Sequence, residues 1–279
     1  MNKEDYFKPG SSWFPDEVRD FLREREAGTY NLLDVRQPVE YQEGHIPGAK
    51  LIPLGRLTGQ LKELTPGVPT IVYCSVGGRS RVAASMLSRA GFRDVHNMEG
   101  GFEAWEGNIA RGMPQTAEAY FAPGRSLEEY VALAWWLEDG TQEFFQTVRE
   151  SAGDAEARDL YESLIAAEDR HKSSLLEAYE ELRGKKADPG FPASAVRDLG
   201  TERWVEGGVR LEEVLEWSKG RPLSEVIEFS MVLEANSYDR YLLLQSNFEE
   251  SSARNLFSKL AREEKLHLER LTEAFEKLL

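Results

Sequence analysis

Two short motifs of the same form each place a glutamate and a histidine three residues apart in a long helical pattern. The first is Glu168-x-x-His171, and it recurs 96 residues later as Glu264-x-x-His267. Residues three apart share one face of a helix, so each motif projects a carboxylate and an imidazole together. These two groups are common ligands for iron and other divalent cations. We therefore predict that both motifs bind metal.

Another pair of glutamates obeys the same repeat. Glu138 precedes the first motif by 30 residues, Glu234 precedes the second by 30 residues, and a ring follows each after seven residues, at Phe145 and Tyr241. Helical phase places these acids on otherwise apolar stripes. Ionised carboxylates sharing one core require compensating positive charge. We predict two iron ions, each with a terminal glutamate and a histidine, and with two bridging glutamates. The predicted ligands are Glu138, Glu168, His171, Glu234, Glu264 and His267.

The single cysteine of the chain, Cys74, stands where a β-rich run meets a glycine loop in TIVYCSVGGRSRVAASML. Backbone N–H groups of such a loop, the N-terminus of the following helix and the Arg79 guanidinium all favour a thiolate. We predict that Cys74 and Arg79 are catalytic. The predicted substrate-binding residues are Ser75, Val76, Gly77, Gly78 and Ser80. The alternative for Cys74 alone is a buried structural cysteine.

The elements that must position Cys74 alternate between strands and helices over residues 1–110. The pattern predicts strands at 30–35, 50–53, 70–75 and 94–99, and helices at 15–26, 54–64, 79–90 and 102–105. This alternation is typical of an α/β domain with a parallel sheet and helices on both faces. Residues 111–125 contain glycine and proline without periodicity, and we predict that they form a linker.

The elements that must position the six metal ligands are all helical. A capping box at Ser126-Leu-Glu-Glu129 opens the first of four long helices. The predicted helices are at 127–149, 154–182, 224–246 and 252–279, with a shorter one at 211–217 and no strand after the linker. The second and third long helices are joined by a long crossover, residues 184–223. Over residues 126–279 this order predicts an all-α, ferritin-like four-helix bundle.

On the six ligands and the two rings, residues 126–279 resemble the rubrerythrin family of ferritin-like proteins. The resemblance implies a diiron site that reduces hydrogen peroxide with electrons from a rubredoxin-like module. Such a module needs four cysteines and the chain has one, so we expect an external electron donor. Ser237 stands where the family has an additional glutamate. The alternative is a helical half that stores iron, or serves as a dimerisation platform, without being an enzyme.

Residues 10–107 resemble the single-domain rhodanese family. Besides the cysteine loop, the resemblance rests on DVRQPVEYQEGHIPGA (34–49) and MEGGFEAW (98–105). It implies transfer of sulfane sulfur through a persulfide on Cys74, from a small anionic donor such as thiosulfate or a persulfide to a thiol or cyanide. Dual-specificity phosphatases of the cell cycle share the fold and are the less favoured alternative. Their loop places arginine six residues after cysteine, whereas Arg79 comes five after Cys74.

Charge and composition narrow the classes of partner. The formal net charge is −15, of which residues 111–279 carry −13. Such an acidic chain argues against nucleic acid and anionic membranes as partners. The longest apolar run, 131–137, is too short to span a bilayer, and the N-terminus has no apolar signal core. We expect a cytoplasmic homodimer. Coupling between the sulfur and iron sites is a further hypothesis, motivated only by their fusion.

Overall fold

The computed structural model describes residues 11–111, 125–196, 199, 202–248 and 250–278. The chain divides into two compact units, Met1–Arg111 and Gly112–Leu279. Most of the predicted linker, residues 112–124, lies outside the described residues. Among the helices that are described, none has the length and apolarity that a membrane span would require.

A parallel five-stranded sheet forms the centre of the N-terminal unit, with the strand order β1-β5-β4-β2-β3. The strands are β1 (Ser12–Trp13), β2 (Asn31–Asp34), β3 (Lys50–Leu51), β4 (Thr70–Tyr73) and β5 (Val95–Met98). All four residues of β4 are buried between its two neighbours. A strand that is covered on both faces needs a continuous apolar run, as TIVY is. Cys74 follows at the carboxyl edge of the sheet, where open α/β sheets bind ligands.

Helices of the N-terminal unit connect these strands. They are α1 (Pro15–Glu24), α2 (Pro38–Glu43), α3 (Leu57–Gln60) and α4 (Gly78–Arg89). The prediction of one helix over 54–64 is wrong, because two 3₁₀ turns, Leu54–Arg56 and Leu61–Glu63, flank the short α3. Gly55 and Gly59 lower the helix propensity of this segment. The short helix predicted at 102–105 is a 3₁₀ turn, Gly101–Ala104.

Four long helices and one short helix build the C-terminal unit. They are α5 (Leu127–Ser151), α6 (Ala155–Arg183), α7 (Leu211–Ser218), α8 (Leu223–Asn247) and α9 (Ser251–Glu276). The capping box of α5 is present, since the Glu129 N–H donates to Ser126 Oγ at 3.3 Å and the Ser126 N–H to Glu129 Oε2 at 3.0 Å. The helices pack as two pairs, α5 with α6 and α8 with α9, and α6 also contacts α9. Their apolar faces share one core.

The prediction that no strand follows the linker is wrong. A short antiparallel hairpin, β6 (Trp204–Val205) and β7 (Val209–Arg210), lies within the crossover. Gly207 and Gly208 make its turn with positive φ of 85° and 74°, a conformation that favours glycine. Strands of two residues are too short for an alternating pattern to reveal them.

Candidate functional sites

The Cys74 sulfur is surrounded by the loop that follows β4 and by the first turn of α4. Cys74 is 1% exposed. The Gly77 N–H donates to Cys74 Sγ at 3.1 Å, and the Ser80 hydroxyl lies 3.4 Å from the same sulfur. That hydroxyl also lies 2.7 Å from Asn97 Oδ1, so its single proton is shared between two acceptors. The loop can therefore stabilise a negative sulfur with neutral donors.

A second glycine segment holds the backbone of the cysteine loop in place. The Phe102 N–H donates to the Cys74 carbonyl at 2.7 Å, and the Glu103 N–H to the Ser75 carbonyl at 3.0 Å. Gly101 has a φ of 62°, and a Cβ at this position would lie 2.2 Å from the Cys74 carbonyl oxygen. Only glycine fits so close to another backbone. The MEGGFEAW segment thus fixes the position of the reactive loop.

The Arg79 guanidinium is engaged by a carboxylate. Its Nη1 donates to Glu40 Oε2 at 2.7 Å and its Nη2 to Glu40 Oε1 at 2.6 Å, the bidentate geometry of a strong ion pair. Nη2 also donates to Ser75 Oγ at 2.8 Å, and the Ser75 hydroxyl donates to Glu40 Oε1 at 2.7 Å. Arg79, predicted to add a full positive charge beside Cys74, is therefore half of a charge pair.

Opposing effects act on the ionisation of Cys74. Burial raises the pKa of the Cys74 thiol, but hydrogen bonds from the Ser80 side chain and from the loop backbone outweigh it, so the net pKa is lower than usual. The hydrogen bonds of Arg79 lower the pKa of Glu40 to about 2. At neutral pH Glu40 is therefore ionised, and Cys74 is a stronger acid than an ordinary cysteine.

The helical unit gathers the six predicted metal ligands in one buried cluster. Each of the six side chains belongs to a residue that is no more than 3% exposed. Two groups have ligand atoms within 4.8 Å of one another, namely Glu138, Glu168 and His171, and Glu168, Glu234 and His267. Glu168 belongs to both groups, which is the position expected of a bridging carboxylate.

Both imidazoles direct Nδ1 at the carboxylates. His171 Nδ1 lies 3.2 Å from Glu264 Oε1, and His267 Nδ1 lies 3.1 Å from Glu264 Oε2. Glu264 therefore spans the two histidines, whose ring centroids are 5.4 Å apart. The Tyr241 hydroxyl donates to Glu138 Oε1, so the ring predicted to follow Glu234 contacts the glutamate of the other repeat.

Burial leaves this cluster short of positive charge. Two carboxylate oxygens, Glu168 Oε2 and Glu234 Oε1, are buried without a hydrogen-bond partner. Burial, reinforced by neighbouring carboxylates, raises the pKa of both groups well above the usual range. Burial opposes ionisation of Glu264 as well, but the charge of His171 outweighs it and lowers its pKa. Orphaned, buried carboxylate oxygens are groups that a cation would satisfy.

Further polar groups surround the cluster. The Ser237 hydroxyl donates to Glu264 Oε1 at 3.0 Å, and Arg240 Nη2 donates to Ser237 Oγ at 3.1 Å. Arg240 is itself buried and forms an ion pair with Glu206 of the crossover hairpin. On the other side of the cluster, His171 Nε2 lies 3.0 Å from Glu263 Oε2. This contact leaves Nδ1 of His171 directed at the ligand carboxylates.

Comparison with known proteins places part of the chain in a family. A sequence profile of the rhodanese-like domain matches residues 16–108. The thiosulfate sulfurtransferase GlpE of Pseudoalteromonas translucida is 41% identical over 75 residues, which are 27% of this chain and 71% of that protein. The chain belongs to the rhodanese-like family.

Other relatives of the rhodanese-like unit differ in how much of their length is matched. The protein YqhL of Bacillus subtilis is 41% identical over 78 residues, and the chain spans only 62% of its length. A crystal structure of a rhodanese-like domain protein from Staphylococcus aureus is 33% identical, with a TM-score of 0.32 and coverage of 34% of this chain and 90% of that one.

In the rhodanese-like unit, the predicted site residues differ in whether their side chains or N–H groups contact the Cys74 sulfur. Gly77 and Ser80 contact the sulfur directly, and Ser75 bonds the Arg79 pair. Gly78 is the first residue of α4, and Val76 is 63% exposed. Sequence reasoning missed Glu40 and Asn97 as partners of the site. A signal for Glu40 exists, since it lies in the DVRQPVEYQEGHIPGA segment that supports the family resemblance.

Sequence reasoning also missed three polar neighbours of the helical cluster. Glu263 precedes Glu264 directly, but it reads as one more acid on a charged helix. Arg240 and Glu206 are separated by 34 positions along the chain, and neither belongs to the repeat. No local pattern reports that two such charges are buried together.

Proposed function

We propose that the rhodanese-like unit transfers sulfane sulfur through a persulfide on Cys74. The observation that carries the proposal is the convergence of the Gly77 N–H and the Ser80 hydroxyl on the Cys74 sulfur. The lowered pKa of Cys74 increases the fraction of the attacking thiolate at a given pH. One relative, GlpE of P. translucida, carries the name thiosulfate sulfurtransferase. The five-residue step from Cys74 to Arg79 also favours sulfur over phosphate chemistry.

The transfer consists of two displacements at sulfur. In the first, the Cys74 thiolate attacks the outer sulfur of thiosulfate; a new S–S bond forms, the S–S bond of the donor breaks, and sulfite leaves with the electron pair. In the second, cyanide or a thiolate takes the outer sulfur of the persulfide, and the Cys74 thiolate is released. The loop N–H groups hold the negative persulfide between the two steps.

Substitution of the nucleophile tests this function. Cys74→Ser should reduce thiosulfate:cyanide sulfur transfer to the uncatalysed background, because no other thiol exists in the chain. The iron content and the melting temperature of the helical unit should be unchanged and serve as the control for folding. Sulfur transfer by Cys74→Ser above background would contradict the proposal.

For the helical unit we propose that the six-residue cluster binds two irons. What supports this is the pair of orphaned carboxylate oxygens, together with two histidines that direct Nδ1 into the cluster. Two bound irons would supply redox chemistry toward peroxide or oxygen, with reducing equivalents from an external donor. Iron storage, or a purely structural role in dimerisation, is the second candidate.

Different residues of the chain would bind the irons of such a centre and orient its ligands. Glu168 and Glu264 each lie between the two halves of the cluster and are the proposed bridging ligands. The Tyr241 hydroxyl orients Glu138, and the Ser237 hydroxyl orients Glu264. Glu263 fixes the tautomer of His171. Burial of every ligand excludes bulk water from the centre.

Iron binding is tested by removing the two proposed bridging charges. Glu168→Gln with Glu264→Gln should lower bound Fe(II), measured after anaerobic loading, from about two per chain to less than about half an iron. The matched control is Glu162→Gln with Glu273→Gln, exposed positions on the same two helices. Undiminished iron in the cluster variant would show that the ligands are wrong. Uptake of many irons per chain by the wild type would favour storage.

A further inference from the structure

The net charge beside the cysteine loop depends on Glu40, a residue outside the loop. Two nitrogens of Arg79 donate hydrogen bonds to Glu40, Nη1 to Oε2 at 2.7 Å and Nη2 to Oε1 at 2.6 Å. The side chains of the pair are 35% and 31% exposed, so solvent reaches both charged groups. The hydrogen bonds that Arg79 donates to Glu40 raise the pKa of Arg79 most, and the Cys74 sulfur contributes in the same direction.

Glu40 is held in position independently of Arg79. It is the third residue of α2, and its Oε2 accepts a hydrogen bond from the Gln37 N–H at 2.9 Å, half of a capping box. With a pKa of about 2, its carboxylate is ionised throughout the physiological range. The single positive charge of the loop is therefore always matched by a fixed negative charge.

The groups left to receive a substrate are neutral. The sulfur is stabilised by the Gly77 N–H and the Ser80 hydroxyl. A cation that is already neutralised favours a donor of low charge over a compact dianion.

We propose that Glu40 is a specificity-determining residue that selects against highly charged sulfur donors such as thiosulfate, in favour of organic donors of lower charge. The inference rests on the proposed function of Cys74 and deepens it. Glu40 acts by engaging Arg79, which would otherwise pair with the incoming anion. Glu40→Gln removes the negative charge that neutralises the guanidinium, and a glutamine at this position can still accept the Gln37 N–H hydrogen bond, so α2 keeps its cap.

The first test uses the charge of an alkylating reagent and does not require sulfur transfer. Iodoacetate and iodoacetamide differ by one negative charge and both label Cys74, the only cysteine. In Glu40→Gln the ratio of the iodoacetate rate to the iodoacetamide rate should rise about tenfold at low salt. The matched control is Glu99→Gln, which removes the same charge from a second arginine pair, with Arg81. It should change the ratio less than about twofold.

Two results of this test would overturn the inference. One is a rise of equal size in Glu40→Gln and Glu99→Gln, which would indicate general electrostatics. The other needs no variant: wild-type Cys74 should show an iodoacetate to iodoacetamide ratio no higher than that of free cysteine, since its entrance is not cationic. A wild-type ratio about tenfold above that of free cysteine would show that Arg79 attracts anionic reagents even when it is paired with Glu40.

The second test compares two sulfur donors. Thiosulfate is a dianion and methanethiosulfonate a monoanion, and each gives its outer sulfur to Cys74 as an S–S bond breaks, with sulfite or methanesulfinate leaving with the electron pair. Glu40→Gln should raise kcat/KM about tenfold for thiosulfate and about threefold or less for methanethiosulfonate. In Glu40→Gln combined with Arg79→Gln the gain should disappear.

The outcomes distinguish a failure of the proposed sulfur transfer from a failure of the specificity role proposed for Glu40. If the wild type transfers sulfur from neither donor, while the alkylation ratio responds to Glu40→Gln as expected, the proposed function fails and the role of Glu40 in charge selection stands. If both donors are used and Glu40→Gln changes neither the donor preference nor the alkylation ratio, Glu40 is not a specificity residue.

Discussion

At the scale of single residues, the Cys74 site depends on which acceptor receives the hydrogen bond from the Ser80 hydroxyl. The Ser80 hydroxyl can donate to Asn97 Oδ1, at 2.7 Å, or to Cys74 Sγ, at 3.4 Å. When Cys74 is a thiol, the amide oxygen is the better acceptor. When it is a thiolate or a persulfide, the charge on sulfur makes donation to sulfur more favourable. Ser80 thus adapts to the ionisation of its neighbour without moving.

Removing this donor should make Cys74 a weaker acid. In Ser80→Ala the pKa of Cys74 rises toward its ordinary value, since a hydrogen bond that favours the thiolate is lost while the burial that opposes it remains. At any pH below the pKa the thiolate fraction, and with it the iodoacetamide rate, should fall about fivefold. The measurement is the pH profile of alkylation, whose midpoint should move upward. Ser88→Ala, on the same helix with its hydroxyl bonded to the Ala84 carbonyl, is the control. An unchanged midpoint in Ser80→Ala would show that Ser80 does not donate to the sulfur.

At the scale of elements, the crossover hairpin is packed against the helix that carries Glu138. The Glu206 N–H donates to Thr141 Oγ1 at 3.0 Å, and Gly140 lies directly under β6. Glycine in the interior of a helix usually costs stability relative to alanine. Here it permits two backbones to touch, which brings Glu206 to Arg240 beside the cluster. The hairpin is therefore part of the wall of the carboxylate site.

Gly140→Ala should destabilise the helical unit. The new Cβ would lie 2.0 Å from the Trp204 carbonyl oxygen, so the hairpin must shift, at a cost of about 1–3 kcal/mol that exceeds the gain in helix propensity. Gly153→Ala is the control, because its Cβ would meet nothing within 4 Å, and it should change the free energy of unfolding by less than about 0.5 kcal/mol. Denaturant unfolding followed by far-UV circular dichroism measures both. A Gly140→Ala protein as stable as the control would mean that the contact is not close.

At the scale of the whole molecule, the chain combines two units that accommodate buried negative charge in different ways. The rhodanese-like unit carries a net charge of −2 and stabilises one negative sulfur with neutral donors. The helical half carries most of the −15 and buries the four carboxylates of the cluster together, for which metal cations are the proposed compensation. Each unit has its own core. Electron exchange between the sites and assembly into a homodimer remain predictions. Electron exchange is tested by oxidising the bound iron with peroxide, adding a sulfane-sulfur donor without oxygen, and comparing the rate of iron reduction in the wild type and Cys74→Ser; equal rates would indicate two independent activities.

Much of both sites was predictable from the sequence because it depends on local periodicity. Spacings of three residues, repeated after 96, place Glu168, His171, Glu264 and His267 on helix faces, and the apolar stripes around them face the core. The strand, loop and helix around Cys74 follow from β-branched residues, glycines and a helical pattern in direct succession. The errors were also local: glycines divided the helix predicted at 54–64, and the two-residue strands β1, β6 and β7 escaped detection.

Only the tertiary structure decided which distant groups meet. Glu40 engages Arg79 across 39 positions, Glu263 reaches His171 across 92, and Arg240 pairs with Glu206 in a hairpin that no pattern predicted. The reason is physical. A helical or strand period reports which way a side chain faces relative to its own backbone, whereas the partner of a charge is fixed by the packing of elements far apart in the chain. The sequence alone therefore determined which residues are candidates for the chemistry, and the packing decided that the cation of the cysteine loop is neutralised.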